Sequence, residues 1–241
     1  MVSGTQKVIN MIDVVIIGQN EGEHIVDMFT SIPESFNIVY VADRCTDETI
    51  WNLCSCARTN KEVCGGKSKP IIINANDDYK GRRTSEMRNL GARYTRPGSD
   101  ILFLDGDRYP TRGTLLKLNG WRNNIALLLV EEDGREDITD YKHSCYGRVH
   151  NGFYSCGLFI KRHAIEKIKS FQNGEIFRKD MQAEWGIEDT YLGDVCYHLN
   201  LSADIYRHCR LRGGFDKFQL DSLDTIEKRL FERDKLNVRW D

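Results

Sequence analysis

The stretch that most limits how this chain can fold is Ile101-Leu102-Phe103-Leu104-Asp105-Gly106-Asp107. Four consecutive apolar residues, preceded by Ser99-Asp100 and followed at once by two acids, read as a short strand buried on both faces. The acids then fall at its C-terminal mouth. Residues i and i+2 of an extended segment point the same way, and a glycine between them lets a ligand approach the backbone, so Asp105 and Asp107 could seat a hard divalent cation. Asp-Gly is also a common way to turn out of a strand. The tripeptide alone leaves both readings open.

The upstream chain supplies the surroundings. Asp13-Val14-Val15-Ile16-Ile17 is a β-branched apolar run ended by Gly18 and followed by Gln19-Asn20-Glu21. Helical spacing then runs from His24 to Phe29, until Ser31-Ile32-Pro33 closes it. A second strand, Asn37 to Val41, leads into Ala42-Asp43-Arg44-Cys45-Thr46-Asp47-Glu48. Thr46 suits an N-cap, with Asp47 and Glu48 in the first helical turn. Asp43 is left at the strand mouth, able to accept hydrogen bonds from a base or ribose.

Pro70 to Asn74 makes a third strand. Thr84 then caps a helix whose Met87, Leu90, Gly91 and Tyr94 recur at the spacing of one apolar face, with Arg88 and Asn89 off it. Strand and helix alternating through short links predict an α/β fold: a mostly parallel twisted sheet with helices on both faces. Ligands of such sheets bind beyond the C-terminal strand ends, where Asn20, Asp43, Asp105 and Asp107 converge.

The second half is less regular. Ile125 to Val130 is a further strand, and the charge run Glu131 to Asp137 reads as a solvated turn. Asn151 to Ile160 mixes glycine, aromatics and β-formers, as a strand that admits something close to its backbone would. Trp185-Gly186-Ile187-Glu188-Asp189 precedes a helix with Leu192, Val195, Cys196 and Leu199 on its buried face, so both acids sit at a helix N-terminus. An indole beside a flexible glycine is a platform for a sugar ring. Asp204 to His208 is a short strand, and Asp221 to Leu236 a charged helix.

At 241 residues the chain suits one core with an appended C-terminal part. Its 34 basic and 36 acidic residues give no global reason to bind nucleic acid or a membrane surface. No apolar run approaches the ~20 residues that span a bilayer. The N-terminus lacks a secretory pattern, which favours the cytoplasm and reduced thiols. Cys45, Cys54, Cys56 and Cys64 lack the paired spacing of a zinc site and read as ordinary thiols.

Taken together these motifs resemble the family 2 glycosyltransferases of the GT-A fold. That family's marks are Asn-Glu after the opening strand, a Val-Asp-Asp-Gly-Ser-Thr-Asp loop, an Ala-Arg-Asn-x-Gly helix, an Asp-x-Asp turn and a later Glu-Asp pair. Asn20-Glu21, Val41 to Asp47, Met87-Arg88-Asn89-Leu90-Gly91, Asp105-Gly106-Asp107 and Glu188-Asp189 follow in that order, over about residues 13–199. Ala42, Arg44 and Met87 depart from the pattern, and Ile17 replaces a usual proline. Trp185 to Asp189 also looks like the Trp-Gly-x-Glu-Asp motif of inverting galactosyltransferases, in which a later Arg-His, here Arg207-His208, supplies a metal ligand.

The resemblance implies a single GT-A domain over 1–241. About 1–107 would be its nucleotide-binding half, about 108–210 its acceptor half and about 211–241 a helical extension. It implies an inverting transferase that moves a sugar from a UDP-sugar to an acceptor hydroxyl with Mn²⁺ or Mg²⁺. Asp107, Asp105 and His208 would hold the metal. Gly18, Asn20, Glu21, Asp43, Arg88 and Asp105 would form the donor site. Asp189 would be the base, with Trp185 and Glu188 at the acceptor.

The acceptor would be a glycan or protein, or hydroxymethylated pyrimidine in DNA met by Arg82-Arg83, Arg207, Arg210, Arg212 and Lys217. Two alternatives compete. A nucleotidyltransferase needs similar acids, but the acidic Gly18 to Glu23 loop lacks the glycine-rich basic character of such enzymes. A catalytically silent nucleotide-sugar-binding module is the other.

Overall fold

The computed structural model describes residues 11–59, 69–76, 83–111, 113–130, 142–145, 148–151, 156–181 and 187–212. Its first half alternates as the sequence predicts: β1 (Ile12–Gly18), α1 (Ile25–Ser31), β2 (Asn37–Asp43), α2 (Thr49–Thr59), β3 (Ile71–Ala75), α3 (Thr84–Ala92) and β4 (Asp100–Asp105). The second half carries β5 (Tyr109–Pro110), a 3₁₀ turn at Leu115–Gly120, β6 (Ile125–Val130), the hairpin β7 (Lys142–Cys145) and β8 (Arg148–Asn151), β9 (Gly157–Ile160), α4 (Arg162–Phe171), α5 (Ile187–His198) and β10 (Ala203–Arg212).

Eight strands form one sheet in the order β3-β2-β1-β4-β9-β6-β10-β5. The β3 to β4 half is parallel throughout, whereas β9 runs antiparallel to both β4 and β6. β10 returns parallel to β6, and β5 pairs antiparallel with its end. β1 and β4 are buried along almost their whole length, as strands covered on both faces must be. Val14 and Ile16 join the core under α1 and α2, while Val15 joins Ile101 and Phe103 under α4 and α5. Helices therefore cover both faces.

Several local expectations change. α2 begins at Thr49, three residues beyond Thr46, whose N–H and hydroxyl both donate to Asn20 Oδ1 at 2.8 and 3.4 Å. Asp47 Oδ1 does the capping, accepting from Thr49 N at 3.0 Å. Thr84 does not cap α3 either, since its hydroxyl donates to Glu188 Oε1 at 2.9 Å and Arg83 holds the cap position.

The faces of α3 also differ from the periodic reading. Met87 and Gly91 are buried as expected, but Tyr94 lies past the helix end and is 49 % exposed, while Arg88 and Asn89 are buried. Gly91 lets the helix sit low on the sheet, since a Cβ there would lie 2.4 Å from Val15 Cγ1.

Asn151 and Gly157 belong to different strands, β8 and β9, rather than to one run. A Cβ on Gly157 would lie 2.5 Å from Leu211 Cδ1, so what approaches that backbone is the protein's own core. β10 is longer than expected and bulges between Tyr206 and Arg210. The charge run 131–137, Trp185-Gly186 and the helix expected over 221–236 lie outside the described residues. No helix among the described residues is long and apolar enough to cross a membrane.

Candidate functional site

Register brings the candidate residues together. Ile17 of β1 lies opposite Asp105 of β4, and Gly18 lies opposite Ala42, one residue before Asp43. The mouths of β1, β2 and β4 thus open on one crevice at the C-terminal edge, the usual ligand position in such sheets.

Its floor is fastened by side chains. Asn20 (φ 58°) holds Thr46 N through Oδ1, Thr49 Oγ1 accepts from Glu21 N at 2.7 Å, and Asp47 Oδ2 accepts from Gly22 N at 2.9 Å. Asn52 Nδ2 donates to Gly22 O at 3.0 Å, and the Cys45 thiol faces Gly18 O at 3.6 Å. The loops after β1 and β2 are in this way one rigid platform. Asn20 and Glu21, expected at the donor, have structural duties within it.

Asp43, expected to meet a base, is held by two guanidinium groups. Its Oδ1 accepts from Arg44 Nε (2.9 Å), Arg83 Nε (2.9 Å) and Arg83 Nη2 (2.7 Å), and its Oδ2 from Arg44 Nη2 (3.0 Å). Arg83 also donates to Ala75 O and its side chain is only 2 % exposed, which leaves it little surface for the phosphate contact the DNA reading offered it. The side chains of Arg207, Arg210 and Arg212, and all of Arg82 and Lys217, lie outside the described residues.

The turn after β4 corrects the spacing argument made for its acids. Asp105 ends the strand, Gly106 and Asp107 turn, and Arg108 N closes on Asp105 O at 3.0 Å. The two acids share the mouth because the chain turns there, not because it stays extended. Gly106 is small for an internal reason, since a Cβ on it would lie 2.9 Å from Glu21 Cγ and 3.2 Å from Tyr40 Oη. Gly18 is crowded by the same hydroxyl, at 2.2 Å from a Cβ position. Burial, and the charges of Cys45, Glu21, Asp47 and Asp107, push the Tyr40 phenol far above its ordinary range.

Arg88, expected at the donor, is buried below the mouth. Its Nη2 donates to Asp105 Oδ1 at 2.8 Å and its Nη1 reaches Glu188 Oε1 at 3.5 Å, while its Cζ lies 5.6 Å from the Phe177 ring centroid. Burial works against its charge, but Asp105, Asp189 and Glu188 more than offset that and hold its pKa above the usual value. Asn89 fixes the neighbouring segment, donating to Phe177 O (2.6 Å) and accepting from Ile176 N and Phe177 N. α5 delivers Glu188 and Asp189 in its first turn. Burial first, and then the Asp189 charge, push the Glu188 carboxyl up to about 7 against the opposing pull of Arg88 and Thr84. Glu188 Oε2 has no hydrogen-bond partner among the described residues.

Among the described residues no three His, Cys, Asp or Glu side chains form a metal cluster. Position 208 lies in the β10 bulge and its side chain is outside the described ones. Asp105 and Asp107 nonetheless fit a hard cation that arrives with a diphosphate, since such ions are commonly held by one or two carboxylates plus substrate oxygens. Arg83, Thr84, Asn89 and Tyr40 carry parts of this arrangement that sequence reading did not assign. The Ala-Arg-Asn-x-Gly motif pointed to Asn89 without revealing what it binds.

No protein-family model matches the chain, and a search of curated proteins finds no match. Solved structures do match. A mannosyltransferase of Pyrobaculum calidifontis, PcManGT, in complex with GDP-Man and Mn²⁺ superposes with TM-score 0.59 at 16% identity, over 83% of this chain and 56% of that one. GalNAc-T7 with UDP, GalNAc and Mn²⁺ gives 0.61 at 15% identity, over 98% of this chain and 49% of that one. A mycobacterial protein gives 0.55 at 12% identity, over 93% and 72%. The chain spans about half the length of the first two. Its mixed sheet, helices on both faces and loop-built mouth are those of the GT-A glycosyltransferase fold.

Proposed function

We propose that the chain is an inverting glycosyltransferase that takes a sugar from a UDP-sugar, with Mn²⁺ or Mg²⁺, to the hydroxyl of a glycan or protein. One observation carries the reading: the mouth of β4 brings an acidic turn within reach of an acidic helix N-terminus through Arg88, which bonds both Asp105 and Glu188. That link supports a site in which donor-side and acceptor-side acids share one crevice.

In this reading Asp105 and Asp107, with His208 on the β10 bulge, hold the cation. A cation held there would offset the charge that gathers on the departing diphosphate. Asp43 accepts from the base, and the Gly18 to Glu21 loop lies under the nucleotide. Trp185 packs on the acceptor sugar and Glu188 orients it through Oε2. Glu188, pushed up to about 7, keeps its proton on the acid side of neutrality, and the adjacent Asp189 acts as the carboxylate that takes the proton of the attacking hydroxyl. A single base opposite the leaving group gives one displacement and inversion at the anomeric carbon.

The test is UDP release from a panel of UDP-sugars with Mn²⁺, with and without EDTA, for wild type, Asp107→Ala and Asp189→Asn. Metal-dependent turnover of one donor, reduced at least 100-fold in both variants, is the expected outcome. Failure of wild type to bind any nucleotide-sugar, or turnover untouched by EDTA, overturns the reading.

A further inference from the structure

α3 starts without a side-chain cap. Arg83 at the cap position makes none, and the hydroxyl of Thr84, whose chemistry suits the task, crosses the fold instead. It donates to Glu188 Oε1 at 2.9 Å, 104 positions away in sequence. The start of one helix thus gives its hydroxyl to the first turn of another.

Glu188 is 5 % exposed, and its two oxygens are bonded unequally. Oε1 takes the Thr84 hydroxyl at 2.9 Å and Arg88 Nη1 at 3.5 Å. Oε2 is buried and has no hydrogen-bond partner among the described residues. The Arg88 contact is at the outer limit of hydrogen bonding, and that guanidinium makes its short bond, 2.8 Å, to Asp105 through Nη2. Arg88 therefore supplies charge to the acid without setting how its carboxyl is turned. The Thr84 bond sets that, and Oε2 is the oxygen left over.

A buried carboxyl oxygen without a partner is costly and rare, so it points to a ligand atom that completes it. Glu188 shares the first turn of α5 with Asp189, the acid assigned to the proton of the attacking hydroxyl, so in the transferase reading that ligand is the acceptor. A carboxyl free to rotate would offer either oxygen. Held by one, it offers only the other, and the acceptor is turned one way relative to Asp189.

We propose that Thr84 is a positioning residue for the acceptor: its hydroxyl fixes Glu188 Oε1 and leaves Oε2 as the one oxygen the acceptor meets. The inference rests on the transferase reading above, and adds to it the group that orients its acceptor-side acid.

The experiment compares wild type, Thr84→Val and Thr84→Ser by calorimetric titration of UDP with Mn²⁺, by UDP release with the donor and acceptor that wild type turns over, and by ¹³C NMR titration of the Glu188 carboxyl, assigned with Glu188→Gln. Valine keeps the shape of threonine without the hydroxyl, and serine keeps the hydroxyl. Thr84→Val binds UDP within about twofold of wild type and loses about tenfold in turnover, since only the acceptor side is disturbed. Burial and the Asp189 charge push the Glu188 carboxyl up, while Arg88 and Thr84 hold it down, so its titration midpoint rises in Thr84→Val. Thr84→Ser restores turnover and midpoint together, which repair of packing alone would not do. A midpoint unmoved in Thr84→Val, turnover that survives there, or no recovery in Thr84→Ser overturns the role of Thr84 and leaves the transferase reading intact. A wild type that turns over no UDP-sugar overturns both.

Discussion

Two carboxylates flank β1 at the crevice, and each is gripped by an arginine of α3 or its N-cap, yet the two clusters are charged in opposite senses. At Asp43 one acid meets two guanidinium groups, Arg44 and Arg83. At Arg88 one guanidinium bonds Asp105 and Glu188 and feels the charge of Asp189. Arg83 at the N-cap and Arg88 within α3 thus serve strands on either side of β1 from one element. The difference separates two tasks. In the proposed reading the first cluster meets the ligand's base, and the second keeps an excess of negative charge where a cation and a proton would be handled.

The sharpest way to break this comparison is to remove the same group from both clusters. Arg88→Met leaves Asp105 and the buried Glu188 without their common partner, a loss of about 3–5 kcal/mol for a buried ionic network. Urea denaturation near neutral pH measures it, and turnover falls with it. A variant as stable as wild type would mean that the carboxylates find other partners and that the acidic cluster is not organised by Arg88.

Arg83→Met is the matched control with a smaller expected effect. Asp43 keeps both bonds from Arg44 and its side chain is 15 % exposed, so water replaces part of what is lost. About 1–2 kcal/mol is expected, from the Ala75 carbonyl and Oδ1 each losing donors. Equal losses at positions 83 and 88 would erase the distinction between the clusters.

The same contrast explains what the sequence made legible. β1, β2 and β4 are uniformly apolar because they are covered on both faces, and runs such as Ile101 to Leu104 announce that without any partner being known. The acids at two of the mouths follow, since the β2 and β4 runs end at Asp43 and Asp105 while β1 ends at Gly18. The buried polar side of α3 was not legible. Periodicity assigns Arg88 and Asn89 to solvent, and what buries them is Phe177 and Glu188, some 90–100 residues away. The caps failed for a related reason. Thr46 and Thr84 have the right chemistry for capping, but their hydroxyls donate to Asn20 and Glu188 across the fold. At Asp105-Gly106-Asp107 the sequence offered a turn and a cation seat as rivals, and the backbone does turn there with both acids still at the mouth.

The smallest expected effect is the most specific, because it reads the proton in the acidic cluster. Glu188 has a folded pKa near 7, above its ordinary 4.5, so between these values the folded protein binds more protons at this site than the unfolded chain. Its contribution to stability is therefore complete below about pH 4.5, declines as pH rises toward about 7 and is flat beyond. Glu188→Gln mimics the neutral form and removes that slope. Denaturation midpoints from pH 5 to 8 should show the variant gaining on wild type as pH rises, most steeply between 5 and 7. Parallel curves for wild type and Glu188→Gln would mean that Arg88 keeps Glu188 ionised throughout, and the proton would then have to be sought on another acid of the cluster.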